Sequence, residues 1–139
     1  DNKANMKLAE KSPNKDKIQF LGFRKEALSI VAASDIFVLS SIKGESITKS
    51  VLEAMSLGIA PVITDIPGNR ELVVNKENGL VVPARNSKAL AQGILKAFNH
   101  PELRIKWGQK SRERIGSHLN TEMTIKNYQA LYMELVSDR

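Results

Sequence analysis

Cysteine is absent from the 139 residues. This excludes a disulfide scaffold, a cysteine-ligated zinc site and a thiol nucleophile, and it suits a reducing compartment. Aromatic residues are scarce at 5%, too few to interleave with the basic clusters as a nucleic-acid stacking platform requires. No apolar run approaches the ~20 residues that cross a bilayer. The opening stretch, Asp1 to Lys17, is polar and charged, unlike a secretory signal. The only histidines, His100 and His118, have no second ligand at metal spacing, so neither a metal nor a cofactor is expected. A glycine turn of the G-x-G-x-x-G type is missing as well, which removes a dinucleotide-dependent oxidoreductase.

What is present is the balance of an ordinary globular domain, 42% hydrophobic and 26% charged, in a length that suits one domain with a real core. The net charge is +6. Its excess gathers in Lys3, Lys7, Lys11, Lys15 and Lys17, and in Arg104, Lys106, Lys110, Arg112 and Arg114. Solvated helix faces are the simpler reading. The functional one is attraction to anions, either nucleotide phosphates or an acidic membrane surface carrying a lipid-linked acceptor.

Short β-branched runs alternate with helical stretches. Strands are expected at Ile18–Leu21, Asp35–Ser40, Pro61–Thr64 and Gly79–Val82. Helices are expected at Lys25–Ala33, Ser46–Leu57 (stopped by Gly58), Arg70–Val74, Ser87–Phe98, Pro101–Ile115 and Glu122–Leu135. This rhythm implies right-handed crossovers and an α/β domain with a parallel sheet. The chain enters through a weak helix instead of the strand that usually opens such a sheet.

In an open parallel sheet, ligands sit beyond the carboxyl ends of the strands. The run Asp35–Ser40 leads into Ser41–Glu45, and a helix follows. Its N-terminus offers unpaired N–H groups and a positive dipole end to a phosphate. Gly44 permits close backbone approach, and Ser46 is placed to cap the helix. At about 100° per residue, Ile47, Val51, Ala54, Met55 and Gly58 form the sheet-facing seam, while Lys49, Glu53 and Ser56 point away. A Lys49–Glu53 surface pair is the simplest use of Glu53, worth ~0.2–0.5 kcal/mol. Glu45 and Glu53, eight residues apart, would lie roughly 12 Å apart at helical rise. That is too far for two carboxylates sharing one glycosidic bond, but it suits the two ends of a sugar diphosphonucleoside, with the helix start between them.

Ser40-Ser41, Glu45, the run Ser50 to Asp65, Gly68-Asn69-Arg70-Glu71-Leu72-Val73 and Asn78-Gly79-Leu80-Val81-Val82 resemble the C-terminal domain of the family 4 retaining glycosyltransferases. The resemblance runs from about Ile18 to the last helix. It implies a Rossmann-like three-layer domain, the C-terminal half of a GT-B fold, lacking here its first strand-helix unit. The natural protein is then expected to begin earlier, with an acceptor domain and an upstream Arg and Lys that grip the diphosphate.

By the same resemblance, Glu45 would contact the transferred sugar and support charge at its anomeric centre. Glu53 would bind the ribose hydroxyls. Gly44 and the backbone amides of Ser46, Ile47 and Thr48 would meet the diphosphate or sugar, and Gly22 and Phe23 would lie near the base. The last helix of the family often crosses to the other domain, which would leave Met123, Tyr128, Leu131 and Leu135 as an exposed apolar stripe. Core packing is the default for Trp107 and Tyr128. Ser46 and Thr48 stand where many members carry glycine, and Pro67-Gly68 replaces a pair of glycines. The implied protein is a hexosyltransferase-like enzyme of polysaccharide biosynthesis. It would use a nucleotide-sugar donor and a glycan or lipid-linked acceptor, be cytoplasmic, and work at the inner membrane surface where the acceptor is a lipid. The isolated chain would be inactive. A non-catalytic Rossmann-like binding or regulatory module keeping the fold is the alternative.

Overall fold

Three aliphatic runs form the sheet: β1 (Ile36–Leu39), β2 (Ala60–Asp65) and β3 (Leu80–Pro83). In the computed structural model, which describes residues 2–43 and 47–137, they pair in parallel in the order β1-β2-β3. Ile36 stands opposite Ala60, and Val62 opposite Leu80. Around them, among the described residues, lie the helices α1 (Asn2–Glu10), α2 (Ala27–Ala32), α3 (Lys49–Ser56), α4 (Asn69–Leu72), α5 (Ser87–Asn99), α6 (Pro101–His118) and α7 (Thr121–Ser137).

The central strand explains the core. β2 has a partner on each edge and helices over each face, so all but its last residue is buried. This is the condition under which a strand reads as a continuous apolar run. Alternation sorts its side chains into two layers. Ala60 and Val62 join Leu80, Val82, Ala97 and Trp107 on the α5 side. Ile63 joins Val51, Met55, Leu72 and Val73 on the α3 side. α6 serves both, with Leu103 and Trp107 in the first layer and Ile115, joined by Leu119 just past its end, against the second.

α3 buries the seam its periodicity predicts, with Val51, Ala54 and Met55 at 0% exposure. It ends as Gly58 dictates. Gly58 has φ +75°, its amide donates to Met55 O at 3.0 Å, and the Ile59 amide donates to Ala54 O at 2.9 Å. This is a Schellman motif, for which the residue after the helix must enter left-handed space.

The second basic cluster is largely structural. Arg104 donates to Ala97 O and Phe98 O at the end of α5, Arg112 to Ser56 O at the end of α3, and Arg114 to Glu71 O and Leu72 O at the end of α4. Each guanidinium meets the negative end of a helix, where orphan carbonyls need donors. Lys110 pairs with Glu113 at 2.7 Å.

Four expectations are corrected. Ile18–Leu21 is extended chain, not a strand. A strand needs a ladder partner, and this segment has none among the described residues, so Ile18, Phe20 and Leu21 stay 40–45% exposed. α3 starts at Lys49 with Thr48 as its N-cap, not at Ser46. Ile47 therefore lies outside the helix and is 53% exposed, not part of the seam. Tyr128 is 58% exposed, because α7 buries none of its residues. The α7 stripe, by contrast, is exposed at Leu131 and Leu135 as well.

Candidate functional site

β1 and β2 deliver their carboxyl ends to one edge of the sheet, and α3 starts beside them. Of the residues proposed for a site from the sequence, Gly44, Glu45 and Ser46 lie outside the described residues. Ile47, Thr48 and Glu53 are described. Because α3 begins at Lys49, helical rise applies only from there, and Lys49 to Glu53 covers about 6 Å. The 12 Å estimate for Glu45 to Glu53 therefore loses its basis.

Glu53 is half-buried on the outer side of α3. Its carboxylate meets the Lys49 ammonium at 3.6 Å, the pairing that the i,i+4 spacing allows. Lys49 is 89% exposed in its side chain, so the pair is screened and weak, in the range of about 0.3–0.5 kcal/mol for exposed helix pairs. Glu53 is thus not locked and remains available to a stronger donor.

Thr48 has the extended backbone of an N-cap (φ −85°, ψ 104°) but makes no side-chain cap bond. Its hydroxyl donates instead to Asn69 Oδ1 at 3.2 Å. The first amides of α3 therefore receive nothing from the side chain that usually satisfies them. Asn69 in turn donates to Thr64 O at 2.8 Å, and the Thr64 hydroxyl donates to Ser41 O at 2.6 Å. Gly68, at φ +86°, turns the chain so that Asn69 comes inward at the start of α4, a backbone state that L side chains rarely adopt.

Asp65, at the end of β2, is gripped by the Arg70 guanidinium through Nε, and through Nη2 at 2.7 Å. The hydrogen bond from Arg70, helped by its charge, holds the Asp65 carboxyl below its ordinary value of 3.8. Asp65 is thus committed to a turn. On the other side of the strand ends, a groove of about 300 Å³ opens between Ser40, Thr64 and the start of α5 at Asn86 and Ser87. Asn86 caps α5 by accepting from the Ala89 amide at 2.9 Å. Phe23 is 91% exposed. Among the described residues, no three His, Cys, Asp or Glu side chains gather as a metal site would require.

Sequence reasoning assigned no role to Thr64 or Asn69. A usable signal was there for Thr64, a polar residue closing an apolar run, where burial demands a partner; Asn69, at the start of α4, carried no such signal.

Comparison with known proteins supplies the family context. Residues 1–114 match the family model described as glycosyl transferases group 1. An uncharacterized glycosyltransferase of Methanocaldococcus jannaschii is 31% identical over 113 residues, 81% of this chain and 29% of that protein. The UDP-Gal:alpha-D-GlcNAc-diphosphoundecaprenol alpha-1,3-galactosyltransferase of Escherichia coli is 26% identical over 125 residues, 90% of this chain and 32% of its own length. A solved Anabaena protein in complex with UDP-glucose superposes with a TM-score of 0.82 at 21% identity, covering 97% of this chain and 36% of that one. At that identity the likeness shows the fold alone. The chain spans about a third of the length of the curated relatives it matches.

Proposed function

The chain belongs to the glycosyl transferases group 1 family, and from that membership we propose that it binds the nucleotide-diphospho-sugar donor of a retaining glycosyltransferase. The observation that carries this reading is the start of α3. It lies at the carboxyl ends of β1 and β2, its N-cap hydroxyl is turned away toward Asn69, and Glu53 follows on the next turn. Helix-start amides that receive no bond from the N-cap side chain are open to a diphosphate. A carboxylate held only by an exposed lysine can exchange that partner for ribose hydroxyls. Glu45 would face the sugar, with the backbone of Gly44, Ser46, Ile47 and Thr48 around the phosphates. No metal or cofactor takes part in this reading.

The acceptor would be a glycan or a lipid-linked sugar, held by the rest of the protein, at the inner membrane surface in the second case. The galactosyltransferase relative, whose name specifies a UDP-Gal donor and a diphosphoundecaprenol acceptor, supports this choice and a UDP-type donor. The experiment is donor turnover by the full-length protein. Glu45→Gln and Glu53→Gln are each expected to weaken donor use by about tenfold or more, the scale of a charge-assisted contact. A double variant with full activity overturns the reading. Donor binding without any transfer would favour a non-catalytic module.

A further inference from the structure

We infer that Thr64 and Asn69 are positioning residues that set the spacing of Ser41 and Thr48, the residues flanking the donor-binding loop, by tying the first to β2 and the second to the start of α4. The proposal rests on the donor-binding reading above and adds to it the residues that hold the site in shape. The loop leaves β1 at Ser41 and enters α3 at Thr48. Both ends are fastened to the same short stretch of chain. Ser41 O accepts the Thr64 hydroxyl at 2.6 Å, and the Thr48 hydroxyl donates to Asn69 Oδ1 at 3.2 Å. The link between the two fasteners is itself a hydrogen bond, Asn69 Nδ2 to Thr64 O at 2.8 Å.

Burial makes this link costly to do without. Thr64 is 3% exposed and Asn69 is 0% exposed. An apolar residue would fill either place with less desolvation, so the amide and hydroxyl stand there for their bonds. The Asn69 bond has a second consequence, since it occupies the hydroxyl with which Thr48 would otherwise cap α3. One contact thus holds Thr48 in place and withholds its side-chain cap from the amides offered to the phosphates. Loosening it leaves Thr48 and the start of α3 to be positioned on binding, which reduces the apparent affinity.

The test uses the full-length protein and calorimetric titration with UDP, ADP and GDP, taking the tightest as probe. Thr48→Val and Thr64→Val are expected to raise its Kd about fivefold, the worth of one net hydrogen bond. Thr48→Ser and Thr64→Ser should return it to within about twofold of wild type, because the hydroxyl is kept. Thr48 is only half-buried, so its valine variant remains folded even if the Thr64 variant does not. If the valine variants lower the melting temperature yet bind the probe like wild type, while Glu53→Gln weakens it, the positioning role is overturned and the donor reading stands. If no nucleotide binds, or Glu53→Gln binds like wild type, the donor reading falls, and the positioning role falls with it.

Discussion

The carbonyl oxygen of Gly58 lies 2.0 Å from the place a β-carbon on Gly108 would occupy. Gly58 closes α3 just before β2 begins, and Gly108 sits in the middle of α6. The two backbones therefore meet without side chains between them, which lets α6 lie against the sheet and bury Trp107 in one layer and Ile115 against the other. Trp107 also donates to Lys76 O at 3.1 Å, fixing the turn before β3.

This contact makes a sharp contrast within one helix. Gly108→Ala forces α6 off the Gly58 carbonyl and is expected to destabilise the protein by about 2 kcal/mol or more, since backbone offers no soft end to yield. Gly116→Ala, where an added β-carbon meets nothing within 4 Å, should instead stabilise by about 0.5–1 kcal/mol through helix propensity. Denaturant midpoints of the two variants check the pair, and equal midpoints would remove the close approach.

Glu53 separates the site from the fold. Its pair with Lys49 is exposed, so Glu53→Gln should change stability by less than about 0.5 kcal/mol. Nucleotide affinity should fall by about tenfold in the same protein. Thermal melts and titrations on one preparation give both numbers. A large loss of stability with unchanged affinity would make Glu53 a structural residue.

Much of this arrangement is legible in the sequence because it is local. The burial of Val51, Ala54 and Met55 follows from helical period, and the stop at Gly58 from the left-handed turn that a Schellman motif demands. β1, β2 and β3 stand out as short aliphatic runs. What the sequence hides is non-local. Ile18–Leu21 has the composition of a strand, but a ladder depends on a neighbour, not on the segment itself. Arg112 looks like surface charge until its carbonyl partner appears 56 residues away in Ser56. The Thr48 hydroxyl fits the capping rule, yet it goes to Asn69, 21 residues on. Glu45 itself lies outside the described residues, and its role is read from the family resemblance.

Arg114 links α6 to the helix that carries Asn69. Its Nε reaches Leu72 O at 3.1 Å and its Nη2 reaches Glu71 O at 2.9 Å. Arg114→Ala should cost about 1–2 kcal/mol, from two charge-assisted bonds at a helix end that is only partly shielded. Arg114→Lys should recover less than half of that, because an ammonium lacks the planar fork. Raising the salt concentration should reduce the Arg114 effect only slightly, as partly buried contacts are screened less. An effect that disappears in high salt would identify the contact as a surface charge term.

Asp65 and Arg70 give the protein a defined acid response. The hydrogen bond from Arg70 lowers the folded-state value of Asp65 below its ordinary 3.8. A depressed carboxyl stabilises the fold fully above the unfolded value, and that contribution is lost as pH falls through the folded one. The window therefore lies below about pH 4, and nothing from this pair changes between pH 6 and 8. Asp65→Asn should be less stable than wild type at neutral pH, and the gap should close as the solution is acidified through that window. Arg70→Gln should give the same converging curves, since either change removes the hydrogen bond that holds the carboxyl down. Urea midpoints measured across the acid range check this, and a gap that stays constant down to the lowest pH would mean that the pair contributes no linkage.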